Sequence, residues 1–254
     1  MASVIDSVHE ALQEDNAYVK IVGYAIPVYL VVNWFLVGKM HMVAVYGFLL
    51  TLLLIGLLGA GINNVRRNRR EILTLNPITL VVAIFKSVIV LAPQLLIYGF
   101  LGHILTTKIV IPVDVQNFSL IYSIIIWAVL GSIVLTSYMS FAKYLKISQG
   151  YNYKVVAESC VDVFVSFVIV FLPQWVLANL VLVGPVAYLY HFLFRLPFTH
   201  WGFVAYCSMI FIVNVSILAN YLAQSAYEHI KGNNEEYDEN VQLNIIEATA
   251  ERMR

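Results

Sequence analysis

Charge is what this chain has least of. Only 12% of its 254 residues are Asp, Glu, Lys or Arg, fifteen of each sign, and the formal net charge at pH 7 is zero. Nucleic-acid binding needs a basic face, and a disordered chain needs little apolar matter and much charge, so both classes are excluded. Cysteine is almost as scarce, with two residues, which excludes a small secreted fold stapled by disulfides. The motifs of soluble enzymes are missing too. There is no phosphate-cradling Gly-rich loop ending in Lys-Ser or Lys-Thr, no Gly-x-Ser-x-Gly elbow, no Cys-x-x-Cys and no dinucleotide fingerprint. His9-Glu10-Ala11-Leu12-Gln13 opens like a zinc-protease helix but puts Gln13 where the second histidine must stand. The expectation is a protein that is not an enzyme and carries no cofactor.

What fills the space is apolar. Hydrophobic residues make up 61% of the chain, against about 45–50% in a soluble domain, and a protein of this length has no core large enough to hide the excess. Crossing a hydrocarbon layer about 30 Å thick takes about 20 mostly apolar residues in a helix, because lipid offers the backbone no hydrogen bonds. Six stretches qualify: residues 21–37, 41–60, 79–105, 118–141, 161–183 and 202–227. The fold class expected is therefore an all-α polytopic membrane protein with about six spans. Residues 1–18 form an amphipathic segment, 19–231 the six-helix membrane domain and 232–254 a polar, acidic tail. Residues 184–197, bracketed by Gly184-Pro185 and Leu196-Pro197 and rich in aromatics, read as an interfacial or re-entrant piece too short to cross.

Basic residues are retained in cytoplasmic loops. Arg66, Arg67, Arg69 and Arg70 lie between the second and third spans, and Lys143, Lys146 and Lys154 between the fourth and fifth. Six crossings with those loops inside put both termini in the cytoplasm. The same arginines are candidates for contact with lipid phosphates, so membrane lipids are expected partners. Ahead of the first span, Ser3 and Asp6 resemble a capping box, and Val4, Ile5, Val8 and Leu12 share one helical face. Cys160 and Cys207 fall at different depths and are expected to stay free thiols.

Two spans share a pattern: Val88-Ile89-Val90-Leu91-Ala92-Pro93-Gln94 and, about eighty residues on, Val168-Ile169-Val170-Phe171-Leu172-Pro173-Gln174. The pair reads either as a parallel internal repeat or as chance. Each proline lacks an amide hydrogen and frees the carbonyl four residues earlier, Ile89 and Ile169, inside the membrane. Gln94 and Gln174 offer amides to a neighbouring helix or to a ligand at paired broken helices. Lys86 lies about 10 Å into the third span at about 1.5 Å per residue, and Asp162 at the start of the fifth is a candidate partner for it. Lys86, Pro93, Gln94, Asp162, Pro173 and Gln174 are thus the candidate polar core or transport site. Gly56, Gly59 and Gly61 allow a close helix approach, and Asn214 and Asn220 are expected to bond between helices. His41, His103, Asp114, His191 and His200 are residue types that bind zinc, yet no spacing among them is diagnostic and no metal site is expected.

Asn64-Val65-Arg66-Arg67 leading to Leu75-Asn76-Pro77-Ile78, and the ending Ala219-Asn220-Tyr221-Leu222-Ala223-Gln224-Ser225-Ala226-Tyr227, resemble uncharacterised prokaryotic multi-pass membrane proteins. These are classed only as a domain of unknown function. The resemblance covers residues 11–229 and implies a prokaryotic cytoplasmic membrane, with no activity, substrate or catalytic residue attached. Two functional classes stand at this point. One is a non-enzymatic scaffold or accessory subunit with a membrane-protein partner or a second copy of itself; the other is a small transporter or permease subunit.

Overall fold

The computed structural model describes residues 12–14, 16–66, 71–108 and 116–230, with the side chains of 116–119 excepted. The N-terminal amphipathic segment up to residue 11, Arg67, Arg69, Arg70, Asp114 and the acidic tail lie outside the described residues. Among those described there is no strand. The helices are α1 (Ala17–Leu36), α2 (Met40–Arg66), α3 (Pro77–Lys108), α4 (Gln116–Tyr144), a single turn α5 (Ile147–Gly150), α6 (Tyr153–Leu193) and α7 (Trp201–His229). Six of them are long and apolar enough to cross a membrane. Each expected span falls inside one of these six, except that the first runs one residue past α1, whose C-cap is Val37.

The fifth span departs further. Residues 184–193 are not a separate interfacial piece: they continue α6, which runs unbroken for 41 residues, about 60 Å at 1.5 Å per residue. Gly184-Pro185 does not end the helix because a proline there costs one hydrogen bond and some strain, which helices in lipid tolerate. Rings four residues apart then hold the continuation together, with Tyr188 and Phe192 at 5.0 Å and Tyr190 and Phe194 at 6.4 Å between centroids. The helix terminates where Arg195 takes a positive φ of 52°. Only the short connection after it joins α6 to α7, so there is no seventh crossing.

The bundle is built around α2 and α7. α2 packs against α1, α3, α4 and α7, while α7 packs against α1, α2, α4 and α6. Small residues let these two approach: the buried run of α2 is Gly56 to Asn64, and that of α7 runs from Ile212 to Ala226 through Ser216, Ala219 and Ala223. Burial is concentrated at one end. Ile62, Leu57, Phe141, Met139, Ile217 and Tyr221 are at most 1% exposed, whereas α6 from Leu172 to Tyr188 has no buried residue. That part of α6 leaves its side chains outside the bundle and is tied to α7 by amides. Asn179 and Asn214 exchange reciprocal side-chain hydrogen bonds at 3.0 and 2.7 Å, and the Tyr206 hydroxyl donates to the Leu182 carbonyl at 2.6 Å.

Such a pair is worth about 0.6–2 kcal/mol in a membrane. Asn179→Leu or Asn214→Leu alone should destabilise by about that much, and the double substitution by less than the sum, because each single change strands the other amide. A double-mutant cycle of thermal unfolding in detergent reads this directly.

Candidate functional site: the polar inner end of the bundle

The start of α3 and the ends of α2, α4 and α7 meet at the densely packed end. Arg66, at the last turn of α2, donates from Nη1 to the Lys143 carbonyl at 2.6 Å, and Asn63 donates to the same oxygen at 3.1 Å. Carbonyls of a helix's last turn have no partner of their own, so α2 supplies a cation and an amide to cap α4. The Arg66 guanidinium also lies 4.3 Å over the Tyr144 ring, and the buried Lys143 ammonium sits 5.5 and 5.8 Å from the Tyr144 and Tyr227 rings. Arg66, one of the residues expected to contact lipid phosphates, joins α2 to α4 here while staying partly exposed.

After α4 the chain doubles back and packs against α3. Its carbonyls meet a row of side-chain donors: Lys86 Nζ to Leu145 at 3.1 Å, Ser140 to Gln149 at 3.1 Å, and Gln94 Nε2 to Gly150 at 3.1 Å. Gln94 Nε2 also lies 2.5 Å from the Ser137 hydroxyl, which itself donates to the Gly150 carbonyl. Gly150 has to be glycine here, since a Cβ would stand 2.7 Å from Val90 Cγ1 and 3.1 Å from Phe141 Cβ. Return traffic comes from Tyr151, whose hydroxyl donates to the Ile89 carbonyl at 2.6 Å. This is the oxygen that Pro93 frees, and it receives a partner from a loop 62 residues away.

The two Pro-Gln pairs are therefore not equivalent. Gln94 is 1% exposed, its Nε2 bonding Ser137 and the Gly150 carbonyl while its buried Oε1 has no hydrogen-bond partner among the described residues, and α3 passes Pro93 as a continuous α-helix. Pro173 and Gln174 are exposed. Just ahead of them α6 shifts to the wider π register over Ser166–Phe171, the adjustment by which a helix passes a residue without an N–H. Lys86 is bonded to the Leu145 carbonyl rather than to Asp162. Asp162 lies instead beside a cleft of ≈ 230 Å³ between α6 and α7, together with Ser166, Tyr221, Glu228 and His229. There the Tyr221 hydroxyl donates to the Ser166 carbonyl at 2.8 Å.

A further polar cluster was not anticipated. Glu14 and Lys20 form an ion pair at 2.5 Å with side chains only 1% and 5% exposed, and Glu14 accepts the Leu73 amide through both oxygens at 3.1 and 3.2 Å. Burial raises the Glu14 carboxyl above its ordinary 4.5, against the lowering effect of Lys20 and the Leu73 amide. Asn16, at a φ of 57°, turns the chain between Glu14 and α1. A charge pair six residues apart matches no helical spacing, which is why it does not show in the sequence. The Tyr24 hydroxyl donates to the Thr74 carbonyl at 2.5 Å beside it. Elsewhere, Cys160 and Cys207 are free thiols, and His191 stacks on Phe198 at 5.1 Å.

These features define a six-span, all-helical integral membrane protein with a dense polar network at one end. The first residues of α1, the last turns of α2 and α4 and the end of α7 lie at that end. Compared with protein-family models, characterised proteins and solved structures, the chain matches none of them.

Proposed function

We propose that this protein is a non-enzymatic membrane scaffold or accessory subunit, residing in the prokaryotic cytoplasmic membrane that the resemblance to multi-pass proteins of unknown function implies. One observation carries the reading. The amide best placed to serve a substrate path, Gln94 beside Pro93, is buried and spends both N–H directions on Ser137 and Gly150. A transport site needs polar groups that exchange partners with a solute, whereas here they fasten a loop to two helices. The exposed apolar surface of the outer half of α6 supports a role in which this chain is held beside another membrane protein or a second copy.

The test is solvent access to the α3 face beside Gln94. With Cys160 and Cys207 replaced by Ala, a cysteine put at Val90, which is 0% exposed, should react with a small polar thiol reagent no faster than one placed on the lipid face at Ile97. Rapid labelling of Val90→Cys from the aqueous phase would instead mark a water-filled path and establish the transporter reading.

A further inference from the structure

The six long helices pair along the chain into three hairpins, α1–α2, α3–α4 and α6–α7. Contacts between hairpins gather at the polar end. Gly56 lies against Ile84, the Tyr138 hydroxyl donates to the Ile55 carbonyl at 2.6 Å, Arg66 and Asn63 reach the Lys143 carbonyl, and Gly61 sits beside Ala219. Towards the far end the contacts run within hairpins instead: Trp34 with Tyr46 at 4.5 Å between centroids, Gly102 against Trp127, and Asn179 with Asn214.

Burial follows the same division. A closed bundle buries a stripe along the whole length of each helix. Here α1 has no buried residue after Val28, α2 none before Gly56 and α6 none after Phe171. Beyond Gln94, α3 buries only Gly102, which faces its own partner α4. α7 is covered further, at Val204 and Ser208, along the stretch where Tyr206 bonds to Leu182 of the same hairpin.

We infer that the far halves of the three hairpins pivot as separate bodies about the packed polar end, so that the space between them opens and closes. The hinges are prolines, one in each hairpin. Pro27 adjoins Val28, Pro93 adjoins Gln94 and Pro173 follows closely on Phe171, so each stands where its helix leaves the packed end. Each lacks an N–H and releases the carbonyl four residues back, that of Gly23, Ile89 or Ile169, which removes a rung of the helix at the point of bending. α6 adds the wider π register of Ser166–Phe171 at the same level. In α3 the released Ile89 carbonyl is taken by Tyr151 on the packed side, which fixes the base of the hinge. Pro185, farther along α6, is braced by its ring pairs and stays inside one hairpin.

Pulsed electron resonance distances in the full-length protein in nanodiscs test this, with Cys160 and Cys207 replaced by Ala. Nitroxide pairs between hairpins at the far end, drawn from Leu36, Phe100 and Leu193, should give distributions about twice as broad as pairs at the packed end, drawn from Tyr18, Ile78 and Val161. All of these sites are exposed, so the labels displace no packed side chain. Pro27→Ala, Pro93→Ala and Pro173→Ala made together should narrow the far-end distributions to the packed-end width. Far-end distributions as narrow as packed-end ones in the wild-type sequence overturn the inference, and so does breadth that persists in the folded triple variant. Where the triple variant does not fold, the single substitutions are read instead, each narrowing only the distances that involve its own hairpin; singles that narrow nothing overturn it equally. Val90 lies in the packed end, so its labelling is decided separately.

Discussion

Replacing Lys20 by Met is expected to cost the detergent-solubilised protein about 3–5 kcal/mol of stability near neutral pH, the penalty for leaving one member of a buried ion pair without its counter-charge. Glu14, whose side chain is 1% exposed, keeps the Leu73 amide but loses the ammonium at 2.5 Å. Removing both charges, Glu14→Gln with Lys20→Met, should recover most of the loss. Thermal unfolding of the two variants checks this, and a double variant as weak as the single one would show that the pair does not govern this end.

The same residue has a pH signature. Because burial lifts the Glu14 carboxyl above 4.5 in the folded chain, the folded state holds its proton more tightly than the unfolded one. Its contribution to stability therefore grows as pH falls from neutrality through the folded-state value towards 4.5, and is lost again as pH rises. The Glu14→Gln protein should lack that part of the slope.

The second large effect is expected at Gly61, where α2 lies against the loop before α3 and against α7. A Cβ there would stand 2.9 Å from the Ile72 carbonyl oxygen and 3.0 Å from the Ala219 Cβ. Neither neighbour can rotate away, since one is backbone and the other is fixed to its helix. Gly61→Ala should therefore destabilise by about 1–3 kcal/mol, the range for overfilling a packed interior. Gly99 is the control: nothing lies within 4 Å of its Cβ position, and Gly99→Ala should be neutral or stabilise by up to about 1 kcal/mol through helix propensity. A measured loss at Gly99 equal to that at Gly61 would remove close packing as the cause.

Much of this architecture is legible in the sequence because lipid imposes so blunt a rule. Long apolar runs suffice to count the spans, and glycines spaced along one span reveal where backbones touch. Gly56, Gly59 and Gly61 fall at the tight contacts of α2. The freed carbonyl of Ile89 is legible too, since Pro93 dictates it, but its partner is not. Tyr151 is 62 residues away, and nothing local marks it as the donor.

The site residues divide in the same way. Gln94 is recognisable as an amide in need of partners, whereas Ser137 and Gly150 as those partners depend on a loop that folds back after α4. Glu14 and Leu73 are 59 residues apart and were invisible for that reason. Pro185 misleads in the opposite direction, because a proline that stops a helix in water is carried along inside a bilayer when aromatic rings on successive turns hold the coil together.

The placement of α7 has a consequence for biogenesis. The last of the six helices to leave the ribosome sits in the middle of the bundle, against α1, α2 and α4. Until it arrives, the first two helices wait in the membrane with their small-residue faces uncovered. Final assembly is thus a single late insertion, and a chain cut short before Trp201 would display to membrane proteases the faces of α1 and α2 that the finished protein hides.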